Sequence, residues 1–520
     1  MIDGATAAPR PALPLWAAVL AVLAAGPVAD AAYPDRGWWP LALFGVAVLL
    51  VSLIGRTVGA AMLVGFVYGM SFYLVHIQWA SVFLGPIPMT ALAAAMAIYF
   101  ALGSALIALA YRWLPRVWPG VLGRLVILPV AIAGLWTARE SIASTWPYGG
   151  FAWGRVGHSQ VDGPLSDLYA WIGISGVTFV IVWFVAVVIE AFRAGPASWV
   201  QRVAAITGLA LALTAWPAWH VERTGALRVA VVQGNGPAGY FDQRSPGALL
   251  AAQYEATAPL FGTAPPVDLV LWPEGSSDWD PQVEPYAANV WNVVSERMDA
   301  PLLAQAVTVR DGVSYNTAIL WRALDEVLDY YDKRHPVPMG EYVPDRWFYR
   351  LLAPDLIDMI ARDYALGSTD AVMDIPLRDG GSVRAAINIC YDIVDDGLLR
   401  ESVLDGGQII LASSNNADFG YTDESRQQLA FARIRAMELG RTVVNASTVG
   451  ITAVITPDGR VVDSLPWYTA GSIVTDAPLA TTITPAARWG HDIEWSVSAL
   501  GIGLLLGAGA AILGGRRRTR

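Results

Sequence analysis

Long apolar stretches are the feature that most restricts what this chain can fold into. Most of them reach the roughly 20 residues that a helix needs to cross about 30 Å of hydrocarbon. The sequence therefore predicts a bundle of about eight transmembrane helices, in keeping with a composition that is 55% hydrophobic and only 15% charged. The stretches lie at about 13–32, 38–55, 58–79, 87–111, 121–138, 168–192, 199–219 and 493–514.

The first stretch has an alternative interpretation as a cleaved signal peptide. Ala29-Asp30-Ala31 resembles the small-residue cleavage site of such a peptide. However, only Arg10 stands in front of the apolar run, and further apolar stretches follow at once. We therefore expect a retained helix.

Charge is distributed unevenly along the chain. Residues 1–219 hold ten arginines and seven acidic residues, whereas residues 220–495 hold 20 basic and 37 acidic groups. An acidic segment between apolar ends predicts a water-facing domain held between membrane segments, and its charge argues against nucleic acid as a partner. We expect a membrane domain over 1–219, an extracytoplasmic domain over 220–492, and a last helix with a basic tail over 493–520.

The positions of the arginines predict the orientation in the membrane. Arginine and lysine accumulate in cytoplasmic loops, and with a cytoplasmic N-terminus only three arginines of the helical part fall in outer loops. Seven spans then place residues 220–492 outside the cytoplasm, and the eighth returns the tail to the inside. The tail carries Arg516, Arg517, Arg518 and Arg520.

A transporter is one class of protein that such helices allow. Its pathway usually shows ionisable groups at mid-depth. Here Glu190 and the pair Arg139 and Glu140 lie near the predicted span ends, where anchoring at the membrane interface explains them. The small residues of the spans are expected to serve helix packing, and they include Gly59, Gly65, Gly69 and Gly103.

From about Leu227 the pattern changes to short β-branched runs separated by helical stretches. This alternation is typical of a layered α/β domain with one large core, and Pro457-Asp458-Gly459 between two runs predicts a hairpin turn. The predicted strands are 228–233, 268–272, 301–309, 315–321, 383–390, 408–413, 442–447 and 451–456, and the predicted helices are 246–259, 284–298, 396–405 and 424–439.

Three segments at strand ends carry residues capable of nucleophilic chemistry. Glu274 follows a buried apolar run, Lys333 is the sole lysine of the chain, and Cys390 is the sole thiol. A thiol attacks as thiolate, a nearby ammonium lowers its pKa, and a carboxylate can take its proton. The same ammonium can stabilise an oxyanion. Since strand ends of α/β domains form active-site crevices, the three together predict an active site.

Each of the three residues also has an ordinary structural explanation. A lone cysteine at a strand end is usually a buried small hydrophobe, and a lone lysine is normally a solvated charge. One cysteine excludes an intramolecular disulfide and a multi-cysteine metal cluster, and the five scattered histidines show no ligand spacing, so we expect no metal. From spacing alone the structural and catalytic interpretations both stay open.

Motifs around these residues extend along nearly the whole chain. With them the sequence resembles the nitrilase superfamily and, within it, the membrane-embedded apolipoprotein N-acyltransferase family. The motifs are Gly154-Arg-Val-Gly-His-Ser-Gln160, Val232-Gln-Gly-Asn235, Trp272-Pro-Glu274, Tyr331-Asp-Lys-Arg-His335, Pro338-Met-Gly-Glu-Tyr-Val-Pro344, Asn388-Ile-Cys-Tyr391, Gln428-Leu-Ala-Phe-Ala-Arg433 and Arg435-Ala-Met-Glu438. The resemblance implies a nitrilase-like αββα sandwich domain carried by a multi-pass α-helical membrane bundle, with no cofactor.

The resemblance also implies a role for individual residues. Glu274 would be the general base, Lys333 the oxyanion-stabilising cation and Cys390 the nucleophile. Glu341 matches the supporting carboxylate of the family, which orients the lysine and the incoming amine. The residues implied to contact substrate are Tyr391, Asp392, Asn416 and Phe419.

The chain departs from the pattern of the family at two positions. The family usually has glutamate where Asp392 stands, which is one methylene shorter here. It often has tryptophan where Asp418 stands. The second change leaves open how the loop around Asp418 contacts the membrane or the substrate.

The implied reaction moves an acyl chain from a phospholipid, through a thioester on Cys390, to the α-amine of the N-terminal S-diacylglyceryl cysteine of a lipoprotein. It implies a monomer in the bacterial cytoplasmic (inner) membrane, with both termini in the cytoplasm. A membrane-tethered amidase or nitrilase-type hydrolase with the same triad is an alternative, although one helix would suffice as its tether. A transporter or receptor with a non-catalytic outer domain is another, and it predicts that Cys390→Ser leaves function largely intact.

Overall fold

The structure, a computed structural model, describes residues 10–193 and 198–518. The chain forms two compact units. The helical unit comprises the chain up to Ala218 together with the chain from Trp489 onward, and the sheet unit comprises Trp219–Arg488. The side chains of the predicted basic tail, residues 516–520, lie outside those that the structure describes.

Helices occur in both units, and the last helix begins in the sheet unit and continues into the helical one. The bounds of the helices are α1 Leu15–Asp30, α2 Pro40–Leu53, α3 Val58–His76, α4 Ala80–Leu84, α5 Pro86–Val117, α6 Leu128–Thr145, α7 Tyr169–Arg193, α8 Trp199–Thr214, α9 Ala248–Thr257, α10 Pro285–Met298, α11 Arg346–Leu352, α12 Pro354–Met359, α13 Asp396–Leu404, α14 Glu424–Leu439 and α15 Pro485–Arg518.

All eight predicted apolar stretches form helices, but they differ in length. Among the described residues, five helical segments are long and apolar enough to cross a membrane: α3, α5, α6 with the turn before it, α7 and α15. The shorter helices α1, α2 and α8 have 16, 14 and 16 residues. At 1.5 Å per residue they extend about 24 Å or less, because the predicted windows included residues of the flanking loops.

Charged residues of α6 lie inside the helical unit, so the prediction that they anchor span ends was wrong. Arg139 is 8% exposed and Glu140 is 3% exposed. The carboxylate of Glu140 accepts hydrogen bonds from Trp136 Nε1, Arg139 Nη2 and Thr178 Oγ1 at 2.8, 2.9 and 3.0 Å. The prediction failed because α6 continues to Thr145 and buries Arg139 against Phe100 of α5 and Glu140 against Thr178 of α7.

Two further expectations about the helices have different outcomes. Glu190 is buried near the end of α7 and pairs with Arg193, and its role as an interfacial anchor stays a prediction. The packing role of glycine is confirmed at Gly65 and Gly69, where an added Cβ would lie within 3 Å of backbone atoms of α5. Gly59 has nothing within 4 Å of such a Cβ, so the same expectation was wrong there.

The sheet unit contains two six-stranded sheets. The first has the order β12-β1-β2-β3-β4-β5 and the second the order β11-β10-β9-β8-β7-β6. In both, three neighbouring strands run parallel and the remaining neighbours run antiparallel. The strands are β1 Arg223–Gln233, β2 Leu269–Leu271, β3 Leu302–Arg310, β4 Val313–Arg322, β5 Glu326–Asp332, β6 Val372–Pro376, β7 Ser382–Ile389, β8 Ile409–Ser414, β9 Val443–Ser447, β10 Thr452–Ile455, β11 Val461–Leu465 and β12 Gly471–Ala480.

The two sheets face each other across one apolar core. Val229 and Leu271 enter it from the first sheet, and Ile387 and Leu411 enter it from the second. The other face of the first sheet is covered by α9 and α10, for example through Trp291, and α13 and α14 contact the second sheet. The predicted αββα sandwich is confirmed, and all eight predicted strands are present within it.

Candidate active site

The three predicted catalytic residues each follow a strand of the facing sheets. Glu274 comes shortly after β2, Lys333 directly after β5, and Cys390 directly after β7. The first two strands belong to one sheet and the third to the other. The sandwich thus brings a carboxylate and an ammonium of one sheet to the thiol of the other.

Lys333 is held between two carboxylates. Its Nζ lies 3.2 Å from Glu274 Oε1 and 2.7 Å from Glu341 Oε2. The side-chain amide of Asn316 donates to both carboxylates, at 2.8 and 2.9 Å. All four residues are buried, so the ammonium has one fixed position between two acceptors.

Two amide residues of this arrangement were not predicted. Asn316 lies on β4, and its Oδ1 accepts a hydrogen bond from Gln305 Nε2 of β3. The Oε1 of Gln305 accepts in turn from the backbone N–H of Gly275, at 2.5 Å. These amides connect the peptide after Glu274 to the ammonium site. Amide side chains inside otherwise apolar strands were the signal that could have identified them.

Cys390 stands at a sharp turn of the backbone. Its φ is +50°, a conformation that costs a residue with a side chain about 1–3 kcal/mol. Asp392 holds this turn, since its carboxylate accepts from the N–H of Ile389 at 3.2 Å and from Tyr331 Oη at 2.9 Å. The N–H of His335 donates to the same carboxylate at 3.0 Å. The segment after the lysine is therefore tied to the segment after the cysteine.

The four residues predicted to contact substrate lie in different surroundings. Asp392 is fully buried with the internal partners just described. Asn416 is 2% exposed and donates to Glu424 Oε2 at 2.8 Å. Tyr391 and Phe419 are half-buried. The contact of all four with substrate stays a prediction.

Gln428 is a further neighbour of the thiol that was not assigned a role. It lies on α14, and its Nε2 is 3.5 Å from Cys390 Sγ, within the range of a hydrogen bond to sulfur. It is 5% exposed. A polar residue on the buried side of a helix was the available signal.

Burial and charge set the resting protonation of the site. Burial raises the pKa of the Cys390 thiol well above its ordinary value, and the charge of Glu274 adds to this while Lys333 opposes it. Burial also raises the pKa of Glu274, against the effect of Lys333. Burial acts to lower the pKa of Lys333, but Glu274 and Glu341 outweigh it and keep that pKa well above the usual range. The site therefore rests with a charged lysine and a protonated thiol that needs a base.

Asp418, where the family often has tryptophan, turns toward the protein. Its Oδ1 accepts a hydrogen bond from the backbone N–H of Tyr240 at 2.5 Å. The guanidinium of Arg362 lies 4.0 Å from the centre of the Tyr240 ring. The carboxylate thus fixes the loop that contains Tyr240.

Comparisons with known proteins find similar families for both parts of the chain. Residues 25–187 match the apolipoprotein N-acyltransferase N-terminal domain, and residues 228–485 match the carbon-nitrogen hydrolase family. The chain is 32% identical to an apolipoprotein N-acyltransferase of Mycolicibacterium smegmatis, over 91% of this chain and 82% of that protein. It is 30% identical to an apolipoprotein N-acyltransferase of Azotobacter vinelandii, over 95% of each. An amidase from Nesterenkonia sp. has a similar structure, with a TM-score of 0.37 and 20% identity over 51% of this chain and 94% of that one.

The similarity to the curated relatives covers both units. The match over residues 25–187 does not favour an amidase tethered by one helix, and the match over residues 228–485 does not favour a transporter. Together with the apolar helices, the relatives identify a bacterial membrane protein with acyltransferase activity. The chain belongs to the apolipoprotein N-acyltransferase family, within the carbon-nitrogen hydrolase superfamily.

Proposed function

We propose that the protein transfers an acyl chain from a phospholipid to the α-amine of the S-diacylglyceryl cysteine at the N-terminus of lipoproteins, through a thioester on Cys390. The observation that carries this proposal is the buried Lys333, held by Glu274 and Glu341 and close enough for its charge to act on the sole thiol. The names of the relatives supply the class of acceptor.

In the first step Glu274 acts as the general base. It accepts the proton of the Cys390 thiol as Sγ attacks the ester carbonyl of the phospholipid. The ammonium of Lys333 donates to the tetrahedral oxyanion. When the intermediate collapses, the ester C–O bond breaks and the leaving alkoxide takes the proton from Glu274, so that lysophospholipid departs.

In the second step the lipoprotein amine attacks the thioester. Glu274 accepts a proton of the amine, and Lys333 stabilises the second oxyanion. Collapse breaks the C–S bond, forms the amide and returns the proton from Glu274 to Cys390. The enzyme is thereby restored and the lipoprotein carries a third acyl chain.

Glu341 supports both steps by fixing the lysine. Its Oε2 lies 2.7 Å from Lys333 Nζ and also accepts from the N–H of Val337 at 2.7 Å. A cation that is already in position costs no reorganisation when the negative charge develops. Exclusion of water from such a buried site would protect the thioester from hydrolysis.

The same proposal includes the placement of the protein. We propose that it lies in the bacterial cytoplasmic membrane, with both termini in the cytoplasm and the sheet unit on the outer face, where lipoproteins are matured. The arginine distribution described above supports this orientation. We further propose that the functional domains are 1–219, 220–492 and 493–520, and that the enzyme acts as a monomer without a cofactor.

The test uses the purified full-length chain with phospholipid and a short peptide whose N-terminal cysteine carries a diacylglyceryl group. Mass spectrometry is expected to show one added acyl chain on the α-amine of the peptide. A matched peptide with an acetylated α-amine should remain unchanged, as should the first peptide with the Cys390→Ala variant. Release of free fatty acid without an acylated peptide would contradict the proposal and indicate a hydrolase.

A further inference from the structure

A second buried carboxyl group lies on the α14 side of the thiol. Glu424 is the first residue of α14 and is 2% exposed. Its Oε2 accepts a hydrogen bond from Asn416 Nδ2 at 2.8 Å, and the same Nδ2 donates to Gln428 Oε1 at 2.6 Å. Gln428 Nε2 is 3.5 Å from Cys390 Sγ. A continuous line of hydrogen bonds therefore joins Glu424 to the thiol.

This line has little freedom to rearrange. Glu424 and Gln428 are four residues apart and so lie on one face of the helix. Asn416 uses both hydrogens of its amide for these two residues, and its Oδ1 accepts from Ser447 Oγ at 2.7 Å. A Cβ on Gly450 would lie 2.1 Å from that Oδ1, so the backbone packs directly against the amide. The orientation of Gln428 toward sulfur is thereby fixed by Asn416.

The ionisable groups that interact electrostatically with Glu424 are all acids, which become negative when they lose a proton. Burial raises the pKa of Glu424 to about 8, the hydrogen bond from Asn416 opposes this, and the charges of Asp418 and Glu274 add to it. Ionised Glu424 in turn acts to raise the pKa of the Cys390 thiol and that of the Tyr468 hydroxyl. A charge on Glu424 is thus electrostatically linked to the nucleophile.

We propose that Glu424 is a positioning residue that controls, through Asn416 and Gln428, how readily Cys390 becomes a thiolate. The inference rests on the proposed function, in which Cys390 is the nucleophile. Asn416, which Glu424 holds in place, keeps the donor of Gln428 pointed at the sulfur. While Glu424 is neutral, no additional charge opposes the thiolate. When Glu424 loses its proton, the new negative charge disfavours a second one on Cys390.

The sole cysteine makes a direct test simple, because Cys390 is the only thiol that iodoacetamide can alkylate and Cys390→Ala gives the rate of alkylation at other groups. The alkylation rate of the full-length protein would be measured from about pH 6 to about pH 10. The Glu424→Gln variant should shift the profile to lower pH by roughly half a unit, which is about threefold faster alkylation at the alkaline end. Gln428→Met should shift it in the opposite direction, since the donor to sulfur is lost.

The matched control is Glu255→Gln, which removes the same charge from an exposed position on α9 and should keep the wild-type profile. A Glu424→Gln profile identical to the wild type would overturn the inference. So would an equal loss of rate at every pH together with a lower melting temperature, because that pattern indicates structural support alone. Alkylation requires neither phospholipid nor peptide. A shifted profile in a protein that acylates no peptide would therefore support the role of Glu424 while rejecting the proposed function.

Discussion

Each unit of the molecule buries a cation against carboxylates, and the two sites differ in whether their hydrogen-bonding capacity is used up. In the helical unit the pair is Arg139 and Glu140, separated by 2.9 Å. In the sheet unit Lys333 lies between Glu274 and Glu341. All five side chains are at most 10% exposed.

In the helical pair the carboxylate has a fixed set of hydrogen-bond donors. Besides Arg139 and Trp136, the carboxylate of Glu140 accepts from Thr178 Oγ1 and from the N–H of Val156 at 3.1 Å. The guanidinium of Arg139 lies 3.9 Å from the centre of the Phe100 ring. The carboxylate of Glu140 thus has four donors, and through Thr178 it joins α6 to α7.

The site in the sheet unit combines groups that nucleophilic chemistry requires. Two carboxyl groups share one ammonium beside a thiol whose pKa burial raises well above its ordinary value. A carboxylate whose pKa is raised by burial is suited to accept that proton. The comparison teaches that burial of an ion pair does not by itself indicate catalysis. The proposal for the sheet unit depends in addition on a second carboxyl group and a neighbouring thiol.

The largest effect is expected from Glu274→Gln. The amide keeps the size of the side chain but cannot take the thiol proton, so thioester formation should fall by about 10²–10⁴-fold. Release of lysophospholipid in a single turnover would measure this. Glu296→Gln, on the exposed side of α10, is the matched control, and equal rates for the two variants would remove Glu274 from the mechanism.

A slightly smaller loss is expected from Lys333→Arg. The substitution keeps a positive charge between the carboxylates, but the larger planar guanidinium cannot occupy the position of the ammonium. Since one oxyanion donor typically contributes about 10²–10³-fold, the acylation rate should fall by that amount. The same lysophospholipid assay applies. A rate within twofold of the wild type would show that the compact geometry of the ammonium is not required.

Glu140→Gln tests the pair of Arg139 and Glu140, and it should change the stability of the fold and leave the reactivity of the thiol unchanged. Loss of the charged acceptor is expected to lower the free energy of unfolding by about 1.5–3 kcal/mol, measured as a lower melting temperature in detergent. Alkylation of Cys390 by iodoacetamide in the folded protein should remain at the wild-type rate. A selective loss of thiol reactivity with unchanged melting temperature would contradict the distinction between the two sites.

The smallest effect concerns His335, whose side chain is 33% exposed and lies 3.2 Å from Asp392. Burial acts to lower the pKa of His335, but the hydrogen bond to Asp392 and the charge of Asp395 raise it overall. A raised pKa means that the stabilisation is complete below the unfolded value and is lost as pH rises through the folded one. We expect a decrease of less than about 1 kcal/mol between about pH 6 and about pH 8, because water screens the pair.

Thermal melting across that pH range would measure the effect, with His335→Gln as the comparison. The melting temperature of the variant should change less than that of the wild type across this pH range. A wild-type protein whose melting temperature rises over the same interval would show that another group controls it.

The strands that the sequence predicted are the central ones, and those it did not predict are the sheet edges. The unpredicted β5, β6, β11 and β12 each end a sheet. β11, Val461–Leu465, is mostly exposed and β5 carries acidic residues, so neither shows a continuous apolar run. Central strands such as β8 are wholly buried, so their sequences consist mostly of the apolar and small residues from which a strand is predicted. Edge strands avoid such runs because unpaired apolar edges aggregate.

The proposed catalytic residues could be selected from the sequence because Lys333 and Cys390 are the sole residues of their types and Glu274 directly follows a buried apolar run. Of the residues that support them, Glu341 was predicted from the resemblance, whereas Asn316 and Gln428 were not assigned a role. Asn316 and Gln428 act through distances between residues far apart in the chain, which only the packing of the two sheets and α14 establishes. The burial of Arg139 and Glu140 was missed for a similar reason, since the extent of α6 and its packing against α7 determine it.

The central claim is that Cys390 carries the acyl group between donor and acceptor. The most direct measurement is the intact mass of the full-length enzyme after incubation with phospholipid and no acceptor peptide. We predict an increase equal to one acyl chain, removable by hydroxylamine as expected for a thioester and absent from Cys390→Ala. The same added mass on Cys390→Ala, or an acylated peptide formed by that variant, would contradict the claim.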